Sequence, residues 1–399
     1  MSEESPQIPV VVLAGFLGSG KTTLLNHLLH HSGGSRIGAI VNDFGAIEID
    51  AMAVAGQLGD STVSLGNGCL CCAVDAGELD AYLDKLTRPI NAGRDVQGGQ
   101  DVQGGHDSDR DSGQGGDASP GRRGMDVIVI EASGIAEPQE LVRMVLASEN
   151  PRIVYGGLIE VVDAAEFDAT REKHPEVDRH LGMADLVVVN KSDRVPDTER
   201  RRVLGAVRES AGSAAVVSAS YGRVDPELLF DCRPSRERVG QLSFDDLHRH
   251  DGTGAQNAHL HSAYESVAFT SEVPMEPRAL MGFLDSRPEG LYRIKGYVDF
   301  GAADADHRYA VHAVGRFLRF YPEPWPTGEA RLTQLVLIGA GIDPEALRKE
   351  LEGCRATSDA PHAVDEHGMW GVLRYVQDKG STEEATAEVA EAGDLGDLP

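Results

Sequence analysis

The chain of 399 residues is long enough for two ordinary domains, its 41% hydrophobic content is that of a globular protein, and no run of about eighteen apolar residues offers a membrane span. A formal charge of −27 argues against a nucleic-acid partner, because phosphate backbones are bound by neutralising them with Lys and Arg. The first residues, MSEESPQIP, lack the basic-then-apolar order of an export signal, and the five cysteines are an odd number with three of them crowded together, so a reducing, cytoplasmic setting is expected.

From Val10 to about Ser220 short apolar runs alternate with amphipathic stretches, the rhythm of βαβ units around a buried parallel sheet. The predicted strands are PVVVLAG, RIGAIVN, DVIVIEA, YGGLIEVVD, DLVVVN and AAVVSAS, each short and mostly β-branched, as a strand covered on both faces should be. The first is followed by GFLGSGKT, Gly15 to Thr22, which fits the phosphate-loop pattern G-x-x-x-x-G-K-[ST] and leads into the helix-like TTLLNHLLHH. A strand before and a helix after separate this from a glycine turn with an incidental lysine. In such a loop the backbone N–H groups converge on the β- and γ-phosphate oxygens, and the helix N-terminus adds partial positive charge. Gly15, Gly18, Ser19, Gly20, Lys21, Thr22 and Thr23 are therefore the expected phosphate contacts, with Lys21 bridging the phosphates and the Thr22 hydroxyl on Mg²⁺. His27, His30 and His31 read as surface residues of this first helix.

Next comes LGNGCLCCAV, Leu65 to Val74, which places Cys69, Cys71 and Cys72 within four positions. Thiolates are soft donors that Zn²⁺ and Cu(I) prefer, so these three form most of a coordination sphere without help from distant residues. A disulfide between the adjacent Cys71 and Cys72 needs strained geometry, and a catalytic cysteine needs no such companions. Three protein thiolates leave a fourth position for an exogenous donor, a nearby carboxylate or histidine, or a recipient protein, which favours a transferable ion. A closed structural zinc site, completed by Cys232 or a histidine, is the alternative. The cluster lies between the phosphate loop and Glu131, where loops of a nucleotide-hydrolysing phosphate-loop protein respond to the γ-phosphate.

The stretch DAGELDAYLDKL predicts a helix with Asp75 and Glu78 as a capping box. Arg94 to Gly124 is rich in Gly and Asp, repeats DVQGG, and has almost nothing to bury, so it reads as a flexible insertion, with metal binding through His106 and its aspartates as the lesser reading. DVIVIEASG then puts an acid at the end of a strand. Glu131 is the candidate for ordering Mg²⁺, and Gly134 for sensing the γ-phosphate through its N–H. The alternative makes this segment a helix cap, with Ser133 or Glu137 serving the helix that begins near Pro138.

After the buried run LVVV comes NKSD, Asn190 to Asp193. A carboxylate at Asp193 can accept from the ring N–H and the exocyclic amine of guanine, donors that adenine does not present on that edge, while Asn190 and Lys191 brace the base. GTP is thus expected over ATP. Leu247 to Ser266 reads as a polar linker, whose His248, His250, His259 and His261 form two H-x-H pairs that either chelate metal weakly or do nothing. Beyond it, segments such as YESVAFTSEVP, YRIKGYVDF, YAVHAVGRFLRFYP and RLTQLVLIGA predict antiparallel strands with two helices, although LTQLVLIGA also passes for a buried helix. Cys232 and Cys354 read as ordinary thiols, and the chain after Lys379 has no basic residue, the mark of a solvated tail.

Together GFLGSGKTTLL, VNDFGAIEID, LGNGCLCC, VIVIEASGIAEP and NKSD resemble the CobW family of P-loop GTPases, relatives of HypB and UreG, with YRIKGYVDF and RLTQLVLIG similar to the family's C-terminal domain. The resemblance implies a mainly parallel α/β P-loop NTPase plus a smaller α+β domain, and a GTP-hydrolysing metallochaperone using GTP, Mg²⁺ and Zn²⁺. Cobalt handling linked to cobalamin synthesis, or metal sensing without transfer, are the rival functions. It also implies Lys21 and Glu131 as catalytic residues, Cys69, Cys71 and Cys72 as zinc ligands, and a client metalloprotein as partner; a homo-oligomer is compatible with it. Where family members carry an acid after the glycine of N-E-F-G, this chain has Ala46 after Gly45, leaving Asp43 and Glu48 as the nearby carboxylates. The Cys-Pro docking motif of the eukaryotic zinc-chaperone members is absent, so their client does not transfer to this chain. The expected boundaries are a GTPase domain over 1–240, a linker over 241–263, a C-terminal domain over 264–354 and an acidic tail over 355–399.

Overall fold

Val, Ile and Leu fill the strands of the N-terminal sheet so completely that both faces are covered: IPVVVLA, VIVIE and LVVVN are buried almost from end to end. The computed structural model describes residues 7–32, 35–42, 62–65, 76–87, 125–134, 136–230, 264–356 and 368–376. In it β1 (Ile8–Ala14), β2 (Ile37–Asn42), β3 (Thr62–Leu65), β4 (Val127–Glu131), β5 (Ile153–Asp163), β6 (Leu186–Asn190) and β7 (Ala215–Ser218) form a seven-stranded sheet. The order is β3-β2-β4-β1-β5-β6-β7, and every pairing is parallel. All six predicted strands are present. The additional one, β3, is a four-residue edge strand, TVSL, too short to carry a periodic signal.

Alternate residues of each strand serve opposite layers. Val11 and Leu13 pack with Leu24, Leu25 and Leu28 of α1 (Lys21–His30). On the other face Val10, Val12 and Ala14 pack with Leu79 and Leu83 of α2 (Ala76–Thr87) and Leu141 and Val145 of α3 (Pro138–Ala147). Helices α4 (Phe167–Lys173), α5 (Glu176–Met183), α6 (Asp197–Ala211) and the short α7 (Pro226–Leu229) complete the unit. His27, expected at the surface, is instead half-buried, its Nε2 3.1 Å from the Val224 carbonyl and its ring stacked on His31.

The C-terminal unit is an antiparallel sheet of β8 (Glu265–Ser271), β9 (Leu291–Val298), β10 (His307–Val314), β11 (Phe317–Pro324) and β12 (Thr333–Gly339), in the order β11-β10-β9-β12-β8. YAVHAVGRFLRFYP is a hairpin that turns at Gly315, where φ is +51°. LTQLVLIGA is strand β12, with Thr333, Leu335 and Leu337 buried and Gln334 exposed between them. Helices α8 (Pro277–Asp285) and α9 (Pro344–Gly353) cover one face. Each starts with a proline after an acid, Glu276 or Asp343, whose carboxylate accepts from two backbone N–H groups of the first turn.

The expected tail begins too early. Helix α10 (Trp370–Leu373) carries Val372, with Met369 just before it, into the core of the C-terminal sheet, and Val376 bridges to Phe320, so residues 369–376 pack as part of the folded unit. Apolar MWGVL is the reason, an island that an otherwise polar stretch obscures. The two units share a core: Tyr292, Val314 and Ile338 join the α1-side cluster of the parallel sheet, and His312 Nε2 donates to the Tyr155 carbonyl at 2.8 Å. Among the described residues no helix is long and apolar enough to cross a membrane.

Candidate nucleotide site

The strands β4, β1, β5 and β6 lie side by side, and their C-terminal ends bring Glu131, the phosphate loop, Asp163 and Asn190 to one edge of the sheet. Such an edge is where open parallel sheets bind ligands. Leu13 is in register with Glu131, which sets the acid beside the loop, and the Thr22 hydroxyl donates to Glu131 Oε1 at 2.6 Å. Lys21, 7% exposed, turns back over the loop and donates from Nζ to the carbonyls of Gly15 at 2.8 Å and Phe16 at 3.2 Å. The lysine is therefore already in place above the backbone that would surround phosphate oxygens.

The NKSD segment divides its work in a way the sequence does not show. Asn190, expected to brace the base, is 1% exposed, and both ends of its amide serve loops: Nδ2 donates to the Ser19 carbonyl at 3.0 Å, and Oδ1 accepts from the Gly222 N–H at 2.9 Å. A Cβ at Gly20, whose φ is +104°, would stand 2.2 Å from that Nδ2, so glycine is what lets loop and asparagine meet. Lys191 donates from Nζ to the Gly18 carbonyl and to Asp163 Oδ2, each at 2.6 Å. Asp193 is exposed in the short turn Ser192–Arg194, with no side-chain partner among the described residues. It alone of the three is available to a ligand. Ser192 ties this turn to the next loop through its N–H to the Ala219 carbonyl at 3.1 Å and its hydroxyl, which accepts from Ser218 at 2.8 Å.

Gly134 lies directly against the loop, for a Cβ there would meet the Leu17 backbone nitrogen at 2.7 Å. Glu137 sits at the start of α3 but makes no side-chain cap, so the alternative that made it the helix cap fails. Its carboxylate is instead held from α5, by Arg179 at 2.7 Å to both oxygens and by His180 Nε2 at 3.3 Å. Burial lowers the pKa of His180, against the pull of Glu137. The same histidine stacks on Phe16 of the phosphate loop at 5.8 Å, with His174 at 5.0 Å on that ring. Helix α5 thus touches both the loop and the segment that follows Glu131.

Asp163, the loop 219–222 and a buried acid on β5, Glu160, escaped the sequence reading. The usable signal for the two acids was polar residues interrupting the apolar run LIEVVD. Burial pushes Glu160 up to about 8, against the opposing charge of Lys21. Cys69, Cys71 and Cys72 lie outside the described residues, in the segment 66–75 between the end of β3 and the start of α2. So do Asp43, Gly45, Ala46, Glu48, Asp75, Cys232, the four linker histidines and the insertion 94–124. Among the described residues no group of three or more His, Cys, Asp or Glu is placed to hold a metal ion.

Residues 9–218 match the family described as CobW/HypB/UreG, nucleotide-binding domain, and residues 264–355 match the cobalamin synthesis protein cobW C-terminal domain. A protein of Sinorhizobium sp named zinc chaperone CobW is 27% identical over 379 residues, covering 86% of this chain and 96% of that one. One of the same name from Pseudomonas aeruginosa is 29% identical over 388 residues, covering 86% and 91%. Among solved structures, the Zn(II)-bound YjiA GTPase from E. coli is 22% identical with a TM-score of 0.37, covering 88% of this chain and 100% of its own.

Proposed function

Since the chain belongs to the CobW family of P-loop GTPases, we propose that it hydrolyses GTP and uses the cycle to load zinc at Cys69, Cys71 and Cys72 and pass it to a client metalloprotein. The observation that carries this reading is the preformed phosphate loop, with Lys21 on its carbonyls and Thr22 on Glu131, in a chain whose sequence carries three thiols a few residues after edge strand β3. Relatives named zinc chaperone, matched over nearly their whole length, support zinc as the cargo.

In this reading Lys21 exchanges its two carbonyl acceptors for phosphate oxygens, and the loop N–H groups hold the remaining charge. The adjacent Thr22 hydroxyl and Glu131 carboxylate are hard oxygen donors at the helix start, a set that suits Mg²⁺. Bound there, the ion would neutralise charge on the phosphates. The Gly134 N–H stands beside the loop to register the γ-phosphate, and Asp193 accepts the two guanine donors. Because α5 holds both Phe16 and Glu137, a change at one is transmitted to the other through packed side chains.

Zinc affinity measured by chelator competition tests the cargo site: replacing all three cysteines by Ser should abolish tight binding and leave GTP binding intact, and undiminished zinc affinity would refute the site. A cobalt role is the second reading, favoured by the description of the C-terminal match. Direct competition separates the two, since retention of Co²⁺ against equal Zn²⁺ would overturn zinc, which simple donor sites prefer.

A further inference from the structure

Glu160 lies near the end of β5, in register with Ala14, the residue immediately before the phosphate loop. Neighbours in register on parallel strands project to the same face. Ala14 belongs to the cluster facing α3, whereas Leu13, the register partner of Glu131, belongs to the cluster facing α1. The two acids therefore stand on opposite faces, and Glu160 takes no part in the Thr22–Glu131 pair.

Glu160 is 2% exposed, and its Oε2 has no hydrogen-bond partner among the described residues. Ser19 Oγ, equally buried, is in the same condition. Both border a cavity of about 180 Å³ beneath the loop, together with Phe16, Asp163, Phe167 and Lys191. A buried carboxylate without donors is costly as an anion, which raises its affinity for a proton. Among the described residues, the other charged side chains that line this cavity are Asp163, Glu166 and Lys191. Asp163 and Lys191 neutralise each other in an ion pair at 2.6 Å, and Glu166, before α4, is exposed at the cavity rim. The adjoining cavity is bordered by Lys173, by His174 and Glu176, which bond to each other, and by His180 of α5 and Glu137 before α3, which do likewise. The charge that supports the Glu160 anion is Lys21.

We propose that Glu160 is the proton-accepting counter-charge of Lys21, so that the loop takes up a proton at Glu160 as it takes up the nucleotide's phosphates. The inference rests on reading the loop as the nucleotide site. Bound phosphates engage the Lys21 ammonium and bring negative charge of their own, and both changes withdraw support from the anion. A proton then moves from solvent to the carboxylate, and no covalent bond of protein or nucleotide is altered. Glu160 is a positioning residue. As an anion it competes with phosphate for Lys21, and as a neutral acid it releases the lysine. The complex holds more protons than the free protein, so nucleotide affinity falls as pH rises through the range where free Glu160 ionises.

Calorimetry of the full chain with GDP and magnesium at pH 8, in two buffers of different ionisation enthalpy, reads the proton directly. Net uptake of about half a proton is expected. Wild-type affinity should weaken roughly fourfold between pH 7 and 8.5, while Glu160→Gln binds without uptake and with a flat profile. If that variant does not fold, Glu160→Ala carries the same comparison, and the wild-type measurement stands without either. Binding with no net uptake, or an unchanged pH slope in the variant, overturns the proposal. Failure of the wild type to bind GDP at any pH would instead refute the nucleotide site itself.

Discussion

The two ends of the nucleotide site are built on different plans. At the phosphate end every group described except the Ser19 hydroxyl is already engaged: Lys21 on two carbonyls, Thr22 on Glu131, the loop backbone on Asn190 and Lys191. At the base end the proposed contact to guanine falls to one exposed carboxylate, Asp193. The comparison teaches that Asn190 and Lys191 of NKSD hold the phosphate loop in shape, so that on the proposed reading binding strength and base choice reside in separate residues. A preorganised loop loses little ordering entropy when its ligand arrives, whereas selectivity needs only a small set of donors and acceptors at one edge of the base.

The sharpest break of this division is Lys21→Ala. Loss of the charged donor should weaken GTP and GDP alike by roughly a hundredfold, read by titration with a fluorescent guanine nucleotide; selective loss of GTP alone would assign Lys21 to the γ-phosphate only. Asn190→Ala is next. It strands a buried carbonyl and a buried N–H, so a stability cost of about 1–3 kcal/mol is expected, with weaker binding of guanine and adenine nucleotides in equal proportion. A change confined to guanine would return Asn190 to the base and blur the comparison. The smallest effect belongs to Arg179→Ala. Its pair with Glu137 is about half exposed, so stability should change by less than about 1 kcal/mol, while nucleotide binding persists and hydrolysis slows as the segment after Glu131 keeps only its weaker tie to α5, through His180. Denaturant unfolding and single-turnover hydrolysis would check the two halves of that expectation.

What the chain discloses before folding depends on whether the signal is local. GFLGSGKT declares itself because a phosphate loop is a continuous stretch between a strand and a helix, and the central strands do so because burial on both faces leaves unbroken β-branched runs. Strand β3 is silent, since four residues at an edge need no pattern beyond pairing with β2. The role of Asn190 is equally hidden: its partner Ser19 is 171 positions away, and only the adjacency of β6 and β1 to β5 brings them together. Glu160 sat in plain view as an acid within LIEVVD, yet its meaning depends on the register that places it beside Ala14. The hairpin at Gly315 and the island at Trp370 show the same limit, one a break within an apolar run, the other a packed segment inside a polar one.

Base selectivity tests the central claim most directly. Measured side by side, the wild-type chain should bind GTP far more tightly than ATP or XTP, and Asp193→Asn should lose roughly thirtyfold in GTP affinity while gaining XTP, whose exchanged carbonyl now faces an amide donor. Equal affinity of the wild type for GTP and ATP, or a variant that keeps its preference for GTP, would contradict the account.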